Sequence, residues 1–330
     1  MTASDQFSAP TTARPSRRAL LGSSVAAGLA AGGGALARPA TAGEPAGTSP
    51  AGGHGGAAPE PAYRLALDPE TRHQRIEGFG ASGAWWAQNL GTWSPPRRAQ
   101  VARLLFSRGQ GIGLSQYRYN IGGGLDDTID DPWRTAETFE TGPGEYDWDR
   151  DAAARWFLHA AKDHGVEDFV AFVNSPPRRL TANGHTYGDE GTSNLPAEHH
   201  EEFTRYLLDV VRHFRDEEGI DFRFLSPINE PQWTWDGPGQ EGCHYEPEQV
   251  RDLTALVIEA FADSDLETLV SSPEAGEYKS VYSEQDYAGW LLEEPTIREG
   301  LGEFATHSYW STDDQRALAA QRLRSIPRSR

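Results

Sequence analysis

From Ile76 onward, short apolar runs alternate with longer stretches whose apolar residues recur at helical spacing. The runs at 76–80, 112–121, 168–174, 222–228, 268–272 and 304–310 read as strands. The stretches at 94–106, 149–164, 196–218, 246–263, 283–292 and 313–326 read as helices. Ser94 followed by Pro95 and Pro96 predicts a capped helix start, with a stripe through Val101, Leu104 and Leu105. Gly165 and Gly219 stop two of the later helices. A further alternating segment at 63–67 predicts a half-buried strand ahead of the series, and the 126–146 stretch predicts a long polar loop.

Six strand–helix pairs in strict alternation imply a parallel sheet covered by helices, either doubly wound or an eight-fold barrel. No Gly-x-Gly-x-x-Gly opens the first helix, so dinucleotide binding has no support. Gly122-Gly123-Gly124 lacks the following Lys-Ser/Thr of a phosphate loop and reads as a turn. Polar groups recur where strands end, at Asn120, Asn174, Asn229-Glu230, Glu274 and His307. Convergence of several strand ends on one mouth is how barrel enzymes are built. The sharpest case is the run from Phe222 to Trp233. Its apolar character stops at Pro227-Ile228, Asn229 and Glu230 follow at once, and Pro231 bars continuation in a sheet. A carboxylic acid so placed, beside Trp233 and Trp235, suits proton donation to a glycosidic oxygen; the plainer alternative is a turn carboxylate.

Composition narrows the partners. The 330 residues hold 30 Lys+Arg against 49 Asp+Glu, a net charge of −19, which disfavours nucleic acid and anionic membranes. One cysteine, Cys243, excludes an intramolecular disulfide and a Cys-type metal cluster, and the scattered histidines suggest no metal site. No cofactor is expected. Residues 1–42 read as an address: Arg17-Arg18 precede an Ala/Gly-rich apolar run, and Ala40-Thr41-Ala42 offers a cleavage site. The pattern is that of a twin-arginine signal, implying handling by that export machinery, a secreted product and no membrane insertion after cleavage. Residues 43–62 are poor in large apolar side chains and read as a disordered linker, leaving 63–330 as the folded part.

Five ordered segments then resemble glycoside hydrolase family 30: 77–83 (EGFGASG), 118–124 (RYNIGGG), 174–177 (NSPP), 226–233 (SPINEPQW) and 307–310 (HSYW). The stretch 240–245 (QEGCHY) resembles the endo-β-1,6-galactanase-like branch. The resemblance covers roughly residues 63–315. It implies a retaining hydrolase of poly- or oligosaccharide on a (β/α)8 barrel of the TIM type with a side β-domain. It implies Glu230 as acid/base, Asn229 on the sugar 2-hydroxyl, Asn174, His307 and Tyr309 around the reacting sugar, and Arg118 supporting the carboxylates. Trp85, Trp86, Trp233, Trp235 and Trp310 become candidates for stacking on sugar faces.

A retaining mechanism needs a second carboxylate about 5–5.5 Å from the first. The resemblance puts that nucleophile at the end of a seventh strand, and no Glu follows Glu303. The expectation is therefore an incomplete barrel of about six units, most of its side β-domain missing, consistent with a frameshift or shortened gene model and impaired in catalysis. Glu274, Glu277 and Glu241 are the stand-ins considered, Glu274 first, each with a structural role as the plainer reading. The alternatives are a non-catalytic glycan-binding remnant and a hydrolase of another β-linkage, in glucan or xylan.

Overall fold

Six parallel strands, paired in the order in which they occur along the chain, form the main sheet of the computed structural model, which describes residue 66 and residues 68–326. They are β1 (Gly80–Ser82), β2 (Gln116–Ile121), β5 (Asp168–Val173), β6 (Phe222–Ser226), β7 (Leu269–Ala275) and β8 (Leu301–Thr306). Every neighbouring pair is parallel. A doubly wound sheet reverses its strand order part-way; this one never does, so the winding is that of a barrel. The sheet is a partial (β/α)8 barrel, with β1 and β8 at its two ends.

Alternation within the strands explains the layering. Tyr117, Tyr119 and Ile121 of β2 are fully buried, and the two tyrosines pack edge-on against Phe106 and Phe214 of the covering helices. Arg118 and Asn120, one residue out of phase, face the other side of the sheet. Helix α4 (His200–Asp216) shows the matching stripe: Phe203, Tyr206, Leu207, Val210, Val211 and Phe214 are all buried. Gly219 stops the segment in the left-handed region at φ +62°. The other covering helices are α1 (Trp86–Leu90), α2 (Pro95–Phe106), α3 (Ala152–Asp163) and α5 (Pro247–Ala262), the last opened by a reciprocal Glu246/Gln249 capping box. Short helices α6 (Lys279–Tyr282), α7 (Tyr287–Leu292) and α8 (Pro295–Gly300) precede β8, and α9 (Asp313–Ser325) closes the described chain.

Several boundaries differ from the sequence reading. The first sheet strand starts at Gly80, and Ile76 and Phe79 are exposed and in no element. Their apolar character is therefore not a sign of burial. The 126–146 loop contains a small antiparallel hairpin, β3 (Glu140–Gly142) with β4 (Glu145–Tyr146). In α2 the buried residues are Ala102 and Phe106; Leu104 is exposed, so the stripe is rotated from the one expected, and Ser94 makes no side-chain cap. The helix expected at 283–292 begins only at Tyr287, after Asp286 takes a left-handed φ of 44°, and α6 ends before that range, at Tyr282. β7 runs on through Pro273 and Glu274 to Ala275.

The chain divides into Met1–Arg72 and His73–Arg330. In the first unit, Asp68 accepts hydrogen bonds from the Glu70 N–H (3.0 Å) and the Thr71 hydroxyl (2.6 Å). The signal at 1–42 and the linker at 43–62 lie outside the described residues. So does the strand expected at 63–67, except for Ala66, which is exposed and in no element.

Candidate active site

The ends of β1, β2, β5, β6 and β8 meet around a cavity of about 590 Å³. Arg118 and Asn174 line it from β2 and β5, Asn229 and Glu230 from β6, and His307, Tyr309 and Trp310 from β8. Trp85, Trp233 and Trp235 complete its aromatic wall. Ten of the eleven residues expected from sequence therefore stand on one cavity. Trp86 does not. Its indole packs against Phe157 (4.8 Å between centroids) and Tyr117, with Nε1 donating to Ser82 O (2.6 Å). In Trp85-Trp86 the chain enters a helix, and adjacent residues there point apart; the second ring goes to the core.

A hydrogen-bonded chain ties the polar strand ends together. Arg118 Nη2 donates to Asn229 Oδ1 (2.8 Å), Asn229 Nδ2 to Asn174 Oδ1 (3.0 Å), and Asn174 Nδ2 to Asn120 Oδ1 (3.1 Å). The guanidinium of Arg118 lies over the Phe172 ring (3.1 Å) and pairs with Glu274. Arginine in such a site is held by its planar fork and face at once, which lysine cannot imitate.

His307 joins the two carboxylates. Its Nδ1 meets Glu230 Oε1 at 2.6 Å and its Nε2 meets Glu274 Oε2 at 2.9 Å. Burial alone lowers the imidazole pKa, but the hydrogen bonds to Glu230 and Glu274 outweigh it and raise the pKa to about 9. The ring is thus a cation at neutral pH, donating from both nitrogens. For Glu274, burial pushes the pKa up, yet the Arg118 charge and the His307 hydrogen bond hold it below the ordinary carboxylate range. Glu274 is almost wholly buried and is not part of the cavity wall. Oε2 of Glu230 has no hydrogen-bond partner among the described residues, and Glu230 is the carboxylate on the cavity surface.

The backbone is unusual where the chemistry concentrates. Glu230, Trp235, Glu274 and Trp310 have φ of 49°, 56°, 53° and 50°. Each left-handed non-glycine costs about 1–3 kcal/mol and persists only where the surroundings over-determine it. One such restraint is direct: Glu230 N–H donates to Glu274 O at 3.0 Å. Trp235 is further fixed by Nε1–H to Glu230 O (3.1 Å). Gly242 makes room for it, since a Cβ there would fall 2.4 Å from the indole. Trp233 meets Trp310 edge-on at 5.8 Å between centroids.

Sequence reasoning passed over Ser82, Ala84, Phe172, Arg134 and Gln240 as lining residues. Arg134 and Gln240, which bond each other, come from two long loops and carry no strand-end signal. Gln240 does lie in the 240–245 stretch already singled out. Of the stand-in carboxylates, Glu277 pairs with Lys279 (3.2 Å). Glu241 is fully buried under the site, with its pKa pushed up by burial to about 8 despite hydrogen bonds from Ala136 N–H and Thr135.

Comparison with known proteins agrees with this geometry. The model of O-glycosyl hydrolase family 30 matches residues 62–290. An endo-β-1,6-galactanase of Hypocrea rufa is 28% identical over 243 residues, spanning 65% of this chain and 50% of that protein. An exo-β-1,6-galactobiohydrolase of Bifidobacterium longum is 25% identical over 244 residues, spanning 55% of this chain and 16% of that protein. The chain thus spans half or less of the length of these curated relatives. Among solved structures, a conserved exported protein from Bacteroides fragilis superposes with a TM-score of 0.73 at 26% identity, covering 80% of this chain and 60% of that one. The catalytic domain of xylanase C from Talaromyces cellulolyticus shares the fold, with a TM-score of 0.58 at 21% identity over 74% of this chain and 56% of its own.

Proposed function

The chain belongs to O-glycosyl hydrolase family 30, and from that premise we propose that its cavity takes β-1,6-linked galactan, with Glu230 as the acid/base of a retaining reaction. The observation that carries this reading is Glu230 on the surface of an aromatic-walled cavity, beside Asn229 and held by His307. Glu230 would give its proton to the glycosidic oxygen as that bond breaks and later take one from the attacking water; in between, retention requires a second carboxylate bonded to the anomeric carbon, which the residues of this cavity do not supply. Asn229, fixed by Arg118 and Asn174, has an N–H left for a sugar hydroxyl. Trp85, Trp233, Trp235 and Trp310 offer flat apolar faces to sugar rings. The galactan assignment is supported by the names of the two curated relatives. Secretion through the twin-arginine route belongs to the same proposal and rests on Arg17-Arg18 and the apolar run after them.

Catalysis by these residues alone is slow. Glu274 is spoken for by Arg118 and His307 and stands off the cavity wall, so it does not serve as nucleophile. A positioned acid contributes typically 10²–10⁴-fold, well short of an enzyme's full acceleration. The purified protein, titrated with β-1,6-galacto-oligosaccharides and assayed for released sugar, is expected to bind and to hydrolyse only in traces, the traces vanishing in Glu230→Gln. Turnover at roughly 1–10³ s⁻¹ would overturn the impairment. Absence of both binding and hydrolysis would overturn the substrate. Binding without any hydrolysis selects the second reading, a glycan-binding protein, which the engagement of Glu274 favours.

A further inference from the structure

The relay Arg118–Asn229–Asn174–Asn120 has a direction, and something must set it. A side-chain amide is a donor at one end and an acceptor at the other, and flipping it exchanges the two. Arg118 only donates, so it fixes the carbonyl end of Asn229; each following amide is oriented by the one before it. Asn120 closes the series, with Nδ2 buried and without a hydrogen-bond partner among the described residues. The complementary group lies next to it. Glu241 is fully buried, its Oε1 accepts from the Ala136 N–H (2.6 Å) and Thr135 Oγ1 (3.3 Å), and its Oε2 is likewise left over. The Asn120 amide acts on this carboxyl as a donor that favours its charged form.

We propose that Glu241 is a positioning residue: in its ionised form it terminates the relay as an acceptor facing Asn120 and thereby fixes which end of the Asn229 amide is turned to the sugar. A donor-only cation stands at one end and an acceptor at the other, so a single arrangement satisfies all three amides. Two long loops are tied into the same device. Glu241 N–H donates to Arg134 O (3.0 Å), and the neighbouring Gln240 bonds the Arg134 side chain at the cavity rim. That the turned amide serves a sugar rests on the function proposed above; the relay itself does not.

Glutamine at 241 is the discriminating change. Its one carbonyl oxygen is needed by Ala136, which turns its NH2 toward the NH2 of Asn120 and forces the relay to flip or break. In ¹⁵N–¹H spectra of the full chain recorded above pH 8, where the wild-type carboxyl is ionised, Glu241→Gln is expected to move the side-chain amide signals of Asn174 and Asn229. In an Asn174→Ala background, which cuts the relay, the same change is expected to leave Asn229 where it was. Asn120→Ala, which leaves the Ala136 and Thr135 contacts intact, is expected to move Asn229 as Glu241→Gln does, and it serves if the glutamine variant does not fold. Unchanged Asn229 signals in Glu241→Gln or in Asn120→Ala overturn the proposal. So do equal shifts with and without Asn174, because they mean that Glu241 acts only through its loop. In the titration with a β-1,6-galacto-oligosaccharide, run at the same pH, Glu241→Gln should weaken binding about tenfold in the wild-type background and hardly at all when Asn229 is already alanine. If the wild-type chain binds no such oligosaccharide, the substrate is wrong, while the amide signals still decide the relay.

Discussion

Trp233 is the residue whose contribution to binding is easiest to isolate. It lines the cavity, meets Trp310 edge-on, and anchors nothing in the main core. Trp233→Ala should weaken glycan binding about tenfold, the loss of one aromatic platform, with little change in melting temperature; calorimetric titration checks it. Gly242→Ala tests the neighbouring ring from behind. The added methyl meets the Trp235 indole, which must leave its place against the Glu230 carbonyl. Reduced affinity is expected from it too, with an altered tryptophan fluorescence, though no residue touching the sugar is changed. Unaltered fluorescence would mean that the loop, not the ring, gives way.

Among the elements, α4 and α9 depend on different forces. The α4 stripe is buried along its whole length, so Leu207→Ala should cost about 2–5 kcal/mol, read from denaturant unfolding. Helix α9 buries little: Ala319 is its one buried residue, and with Val281, Ala288 and Ile326 it forms only a small satellite cluster. Its start carries correspondingly more weight. Thr312 accepts from Gln315 N–H (3.3 Å) while the Gln315 side chain returns to Thr312 N–H (2.8 Å). Thr312→Ala should cost about 0.5–2 kcal/mol locally and raise amide exchange in α9 while leaving α4 protected.

Across the whole molecule, burial of ionisable groups sets the dependence of stability on pH. His307 has its pKa raised from 6.5 to about 9, so its stabilising contribution is complete below 6.5 and is lost as pH climbs through 9. Asp151, beneath the sheet beside Tyr119, and Glu241 are both raised by burial to about 8. Each therefore favours the fold below its ordinary carboxylate value and loses that favour as pH rises through about 8. Glu274 has the opposite sign: its lowered pKa stabilises above 4.5 and the benefit goes on acidification. The melting temperature should thus peak on the acid side of neutrality and fall toward pH 9. The difference between wild type and His307→Gln should shrink over the interval from 6.5 to 9. A melting temperature that rises across that interval would contradict the charge assignments at the site.

What the sequence determined by itself was whatever is local and periodic. Alternation of strand and helix patterns fixed a parallel sheet, because short apolar runs joined by amphipathic helices have few other ways to bury both faces. Polar residues breaking apolar runs marked Asn174, Asn229, Glu230 and His307, because only at a strand end is such a group at once held and accessible. Five spaced motifs fixed the family for the same reason: each is a strand end with its loop. The tertiary structure alone decided matters that join distant positions. It turned Trp86 into the core while Trp85 faces the cavity, since one step at a helix start swings a side chain by about 100°. It rotated the α2 stripe away from Leu104 and placed Arg134 with Gln240 at the rim, where irregular loops leave no periodic trace. Above all it brought Glu274 and Glu230 to the two nitrogens of one imidazole. No spacing in the sequence announces that, because the strands that carry these three residues become neighbours only when the sheet forms.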